Sequence, residues 1–147
     1  MTTAAAPLAD SRSLALAHYA ARAVLETVLA RHDLDFQESV TLRAVAVADG
    51  PVDRESVVGY VTGSLKADPA DAERTLDGLA AKALVEPEGS AVRVTEAGRA
   101  LYATVSAETG EISARVYAGI PTEDLAAAGR VLSLITERAN TELARMK

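Results

Sequence analysis

The stretch Leu84 to Tyr102, LVEPEGSAVRVTEAGRALY, constrains the fold of this chain more than any other. Two short runs of strand-forming residues, Leu84-Val85 and Ala91 to Val94, flank the loop-like Pro87-Glu88-Gly89-Ser90. The second run passes directly into Thr95-Glu96, where a threonine can cap a helix. Val92 and Val94 alternate with Arg93, so the two valines share one face and Arg93 takes the solvent face. The stretch reads as a small hairpin that feeds a helix.

The other segments carry apolar residues at helical spacing. A long first helix is predicted from Ser11 to Arg31, capped by Asp10 or Ser11, with Leu14, Ala17, Ala21, Val24 or Leu25, and Val28 along one side. His32-Asp33-Leu34-Asp35 breaks it. A second helix is expected from about Gln37 to Ala48, before the stop Asp49-Gly50-Pro51. Asp53 caps a third, with Val57, Val58, Val61 and Leu65 on its buried face. Asp68 followed by Pro69 at the first helical position opens a fourth, Pro69 to Ala83, which buries Ala72, Leu76, Leu79 and Ala83. The third and fourth helices, joined by a short turn, form a helix-turn-helix candidate. After the hairpin a fifth helix runs from Thr95 to Ala118, with Gly110 as a possible bend, and a sixth from Thr122 to Arg145. The sixth begins with Glu123 and Asp124 and ends near Arg145 and Lys147, as the helix dipole favours.

With 147 residues, 49% of them hydrophobic and 24% charged, the chain is expected to form one globular domain over residues 11–147 behind a flexible tail at residues 1–10. Residues 37–100 make a compact helical head with the hairpin. Residues 11–36 and 101–147 supply long helices, alanine-rich and apolar along one side, which are expected to pack against a second copy. The fold class is mainly α with a small two-stranded β-wing. The chemistry open to the chain is narrow. It has no cysteine, which removes disulfides, thiolate metal sites and thiol catalysis. His18 and His32 are fourteen positions apart, about 21 Å on one helix, too far to share a metal. There is no phosphate-binding glycine loop, so no catalytic residue, metal or cofactor is assigned. The alanine run near the start lacks a basic flank, and no window reaches the ~18 apolar residues of a spanning helix. A soluble, cytoplasmic protein without a membrane partner is expected.

The order of helix, helix, helix-turn-helix, hairpin and two long helices, with three local phrases, resembles the multiple antibiotic resistance regulator (MarR) family of winged helix-turn-helix transcription factors. The phrases are Leu76-Asp77-Gly78-Leu79 to Ala83-Leu84-Val85, Val94-Thr95-Glu96-Ala97-Gly98-Arg99-Ala100-Leu101, and Ile120 to Leu125. The resemblance covers about residues 12–145. The second phrase is the most specific, because a threonine cap with glycine three residues on lets the new helix sit close to its neighbour. The resemblance implies a homodimer that reads double-stranded DNA through its fourth helix and answers to a small aromatic or lipophilic effector. The DNA-facing set would then be Arg54, Lys66, Ala70, Asp71, Glu73, Arg74, Thr75 and Arg93. His18, Tyr19 and Arg22 form the candidate ligand set. Tyr60, Tyr102 and Tyr117 are either further pocket residues or half-buried packing residues.

The sequence departs from the family where DNA should be met. Ala70, Asp71 and Glu73 stand where serine and threonine usually dominate, although Arg74 matches the common arginine and Thr75 follows it. The wing lacks an Asp-x-Arg segment, and its tip is short and acidic. Residues 37–100 hold seven Lys/Arg against eleven Asp/Glu, a net −4 within a chain of net −6. Arg43, Arg54, Lys66, Arg74 and Arg93 either cluster on one face or are scattered solvated charges. Two functions follow. One is a ligand-responsive regulator with DNA binding concentrated on the fourth helix. The other is a winged-helix dimer with weakened or lost DNA binding that serves as a ligand- or protein-binding module.

Overall fold

The computed structural model describes residues 5–147; of the expected tail, residues 1–4 lie outside the described residues. The elements are α1 (Ser11–Ala30), α2 (Phe36–Ala46), β1 (Val52–Asp53), α3 (Arg54–Leu65), α4 (Pro69–Ala81), β2 (Val85–Glu88), β3 (Ala91–Val94), α5 (Glu96–Tyr117) and α6 (Thr122–Arg145). The chain divides into two compact units, one up to Gly110 and one from Glu111 onward. α5 is continuous through Gly110.

In the first unit the core is aliphatic. Leu29, Leu42, Val45, Val57, Val61 and Leu79 are each 2% exposed or less, and Val85, Val92 and Val94 close it from the hairpin side. The sheet is antiparallel in the order β1-β3-β2, with Val85 opposite Val94 and Glu86 opposite Arg93. The two-stranded wing is therefore present, and a third strand joins it. β1 pairs Val52 with Val92 and Asp53 with Ala91. Two residues are too few to show an alternating pattern, which is why the sequence presents Asp53 only as a helix cap. Asp53 does precede α3, yet its side chain caps no helix N–H. Asp10, Asp35 and Asp68 do cap α1, α2 and α4.

One expectation about a buried face is corrected. α4 ends at Ala81, and Ala83 is exposed rather than buried. Ala83 has φ +59, with its N–H donating to the Ala80 carbonyl (2.9 Å) and the next N–H, of Leu84, to Leu79 (3.0 Å). This is a Schellman stop with alanine in the left-handed position usually held by glycine. On α1 Val28 and Leu29 are buried and Leu25 packs partly buried against the core, while Leu14, Ala17, Ala21 and Val24 are exposed in the single chain. His32, at the end of α1, is half-buried with its Nε2 3.0 Å from Glu108 Oε1 on α5.

The corner between wing and α5 is closely packed. Thr95 Oγ1 donates to the Ala83 carbonyl (2.7 Å) and accepts from the Gly98 N–H (3.0 Å), while the Thr95 N–H donates to the Leu84 carbonyl (3.1 Å). A Cβ on Gly98 would overlap the Leu84 carbonyl oxygen and lie 3.0 Å from Val94 Cγ2. Glycine is required there because the obstacle is backbone.

The second unit holds the end of α5 and α6, linked by a turn with Gly119 at φ +78. α6 has no buried residue. Leu125, Val131, Leu132 and Leu134 are 36–47% exposed.

Gly98→Ala is expected to destabilise by about 3 kcal/mol, the upper range for overpacking, lowering Tm by roughly 6–12 °C in thermal denaturation. Ala83→Gly should act oppositely. Relief of left-handed alanine strain, about 1–2 kcal/mol, exceeds the added chain entropy of glycine, so a gain of about 0.5–1 kcal/mol is expected in urea melts.

Candidate nucleic-acid interface

The helix-turn-helix is built by α3, a turn over Lys66-Ala67-Asp68, and α4. Lys66 takes a left-handed conformation (φ 56) that stops α3, and its Nζ donates to the Gly63 carbonyl at 2.6 Å. Asp68 Oδ1 then accepts from the Ala70 N–H at 2.8 Å, and Pro69 starts α4 where no amide donor is needed. Ala72, Leu76 and Leu79 are each 1% exposed or less and fix α4 on the core. Ala70, Asp71, Arg74 and Asp77 therefore lie on the outward face. Glu73 and Thr75 are half-buried, and the Thr75 hydroxyl donates to the Asp71 carbonyl (2.9 Å) within the helix.

The arginines expected to face DNA are each held by carboxylates of the same head. Arg54, at the first position of α3, reaches α4 and bonds Glu73 Oε2 (2.6 Å) and Asp77 Oδ1 (2.9 Å). Burial works to lower the Arg54 pKa, but the bonds to Glu73 and Asp77 outweigh it and raise the pKa above the ordinary guanidinium value. Arg74 pairs with Asp71 one turn earlier on α4. Arg93 pairs with its cross-strand neighbour Glu86 and lies 3.8 Å from Glu88. The bond to Glu86 is the main reason its pKa is raised. Lys82 is likewise tied to Glu38 (2.9 Å), whose side chain is 12% exposed, and this bond raises the Lys82 pKa. Among the described residues Arg43 and Arg99 have no ion pair.

The wing's connecting loop is shorter than the sequence suggests. Pro87 and Glu88 belong to β2, leaving Gly89 (φ +62) and Ser90 as the connection. Pro87 is tolerated because β2 is an edge strand. Arg93 is exposed between buried Val92 and Val94, as the alternation indicates.

A second feature lies beside α1. A cleft of about 520 Å³ is lined by His18, Arg22, Glu26, Asp35, Phe36, Gln37, Ser64, Leu65 and Ala67. Arg22 stacks its guanidinium 4.1 Å from the centre of the Phe36 ring and bonds Glu26 at 2.8 Å. His18 and Arg22 thus meet at this cleft, whereas Tyr19 is 64% exposed and outside its lining. Tyr60 lines a separate cleft of about 290 Å³ with Arg43 and Val47, Tyr102 packs on the core, and Tyr117 is exposed. Phe36, Gln37 and Ser64 were not singled out in the sequence. Gln37 Nε2 is buried without a hydrogen-bond partner among the described residues. Among those residues no three His, Asp or Glu side chains converge as a metal site requires, and no helix is long and apolar enough to cross a membrane.

No protein-family model matches the sequence, and no curated protein matches it. Solved structures do match. CouR from Rhodococcus jostii RHA1 bound to p-coumaroyl-CoA is 19% identical with a TM-score of 0.70, over 90% of this chain and 96% of that one. The MarR family protein Rv2887 of Mycobacterium tuberculosis is 21% identical with a TM-score of 0.63, over 86% and 96%. Ligand-free NadR is 16% identical with a TM-score of 0.74, over 91% and 98%. At these identities the likeness is one of architecture: the chain has the winged helix-turn-helix fold of MarR-family transcriptional regulators.

Proposed function

We propose that this protein is a member of the MarR family, a homodimeric transcriptional regulator that binds double-stranded DNA through α4 and answers to a small aromatic or lipophilic ligand. The observation that carries the reading is the helix-turn-helix itself. A capped α4 with its inner face anchored presents Ala70, Asp71, Arg74 and Asp77 outward, within a fold shared with regulators over about 90% of the chain. Residues 37–100 would form the reading head, and residues 11–36 and 101–147 the dimerisation helices. Arg54 and Glu73 would position α4, while Ala70, Asp71, Arg74 and Thr75, with Lys66 and Arg93 at the margins, would lie nearest DNA. Such a regulator would work in the cytoplasm.

Dimerisation is supported by apolar side chains that the chain does not cover. On α1, Leu14, Leu16 and Val24 are 38–52% exposed, and on α6 Leu132 and Leu134 are 45% and 47% exposed. Such surface is costly in water and is expected to be buried by a second copy. Ligand binding is supported by the cleft at His18, Arg22 and Phe36 and by the unpartnered Gln37 amide beside it. The aromatic acyl ligand of CouR is a precedent for the ligand class. The self-paired arginines favour the second reading, a winged-helix dimer with weakened DNA binding that serves as a ligand- or protein-binding module.

Sedimentation velocity at micromolar concentration should give a dimer, and Leu132→Asp should shift it toward monomer. Fluorescence anisotropy on duplexes from its own upstream region should show saturable, salt-sensitive binding that a panel of aromatic acids weakens. Arg74→Ala should raise Kd by roughly 5- to 150-fold, the 1–3 kcal/mol of a base-edge contact. A stable dimer that retains no duplex would select the second reading.

A further inference from the structure

The ion pairs of the head fall into two kinds, and the difference assigns them different work. Arg54 is sheltered, its side chain 31% exposed, and it bridges two carboxylates on another helix while its Nη2 also reaches the Glu73 carbonyl at 3.4 Å. That is a contact within the fold. Arg74 and Asp71 are 70% and 50% exposed, and Arg93 and Glu86 are 52% and 47% exposed. Pairs in such positions are weak and exchange readily.

We propose that Asp71, Glu86 and Glu88 are affinity-determining residues of the DNA-binding head, acting through Arg74 and Arg93. The inference rests on the proposed DNA-binding reading. A carboxylate offers a guanidinium two oxygens in the same fork geometry as a phosphate, so each acid holds the place a DNA oxygen would take. DNA must displace it, and the displaced anion then stands beside the phosphate backbone. The two arginines occupy the parts of this fold nearest a duplex, the outward face of α4 and the wing, so the acids lower affinity where contact would form. Arg43 on α2 and Arg99 on α5 carry no such partner, and Lys66, in the turn before α4, bonds only the Gly63 carbonyl.

Salt dependence separates this mechanism from a simple excess of negative charge. Each cation newly free to neutralise a phosphate adds about 0.9 to the slope of log affinity against log salt. The test is an anisotropy titration of the full-length protein on a random-sequence duplex across a salt series. Asp71→Asn and the double variant Glu86→Gln/Glu88→Gln are compared with Asp49→Asn/Glu55→Gln, acids that have no ion pair among the described residues. The amide variants at the paired acids are expected to bind about five- to tenfold tighter, with slopes steeper by about one per freed arginine. The control pair should move affinity less than twofold and leave the slope unchanged. Adding Arg93→Ala to the Glu86→Gln/Glu88→Gln variant should erase the gain. Equal gains in variants and control would overturn the proposal in favour of bulk charge. Wild-type affinity in the amide variants, with binding still lost in Arg74→Ala, would overturn it while leaving the DNA-binding reading intact. Failure of every variant to bind any duplex would sink both.

Discussion

The first unit depends on the meeting of Thr95, Leu84 and Gly98. One threonine hydroxyl closes the gap between the left-handed stop of α4, at the Ala83 carbonyl, and the first turn of α5, at the Gly98 amide. The Leu84 carbonyl completes the corner by accepting from the Thr95 amide. Because Gly98 has no side chain, α5 sits directly on the backbone that leads from α4 into the wing. The direction of α4, the root of β3 and the start of α5 are thereby set by one group of bonds. A longer side chain at position 98 would separate all three.

Much of this was legible in the sequence because it depends on local rules. Aspartate caps at Asp10 and Asp68, the proline that opens α4 and the alternation of Val92, Arg93 and Val94 are readable from neighbours in the chain, whereas Asp35, within a segment that reads only as a break, caps α2 one residue ahead of the expected start. The threonine–glycine spacing at the wing exit was readable too, and the contact it makes with Leu84 is what the spacing suggests. What escaped depends on tertiary pairing. β1 is defined by Val92 and Ala91 across the sheet, and nothing within Val52-Asp53 announces it. The early end of α4 escaped because alanine stands in a left-handed stop that glycine would have advertised. The cleft beside α1 draws Phe36, Gln37 and Ser64 from other segments, while Tyr19, one residue from His18, turns about 100° away around the helix.

The charge count of the head likewise understated its organisation. A surplus of acids over bases predicts poor attraction for a polyanion, but it does not say where the acids sit. Five of the eleven sit on arginines. Arg54 is held between Glu73 and Asp77, Arg74 by Asp71, and Arg93 by Glu86, so the positive charge available to a partner is smaller than the sequence total suggests. The same pairing joins elements distant in sequence: Lys82 at the end of α4 is fastened to Glu38 on α2. Electrostatics here serve assembly of the head.

The short strand β1 has a mechanical consequence. Val52 and Asp53 are zipped to the returning strand of the wing, and the very next residue, Arg54, grips α4 through two carboxylates. A pull on the wing is therefore handed at once to both helices of the helix-turn-helix. The head is braced like a tripod, and an outside influence would relocate the whole frame sooner than bend any leg of it.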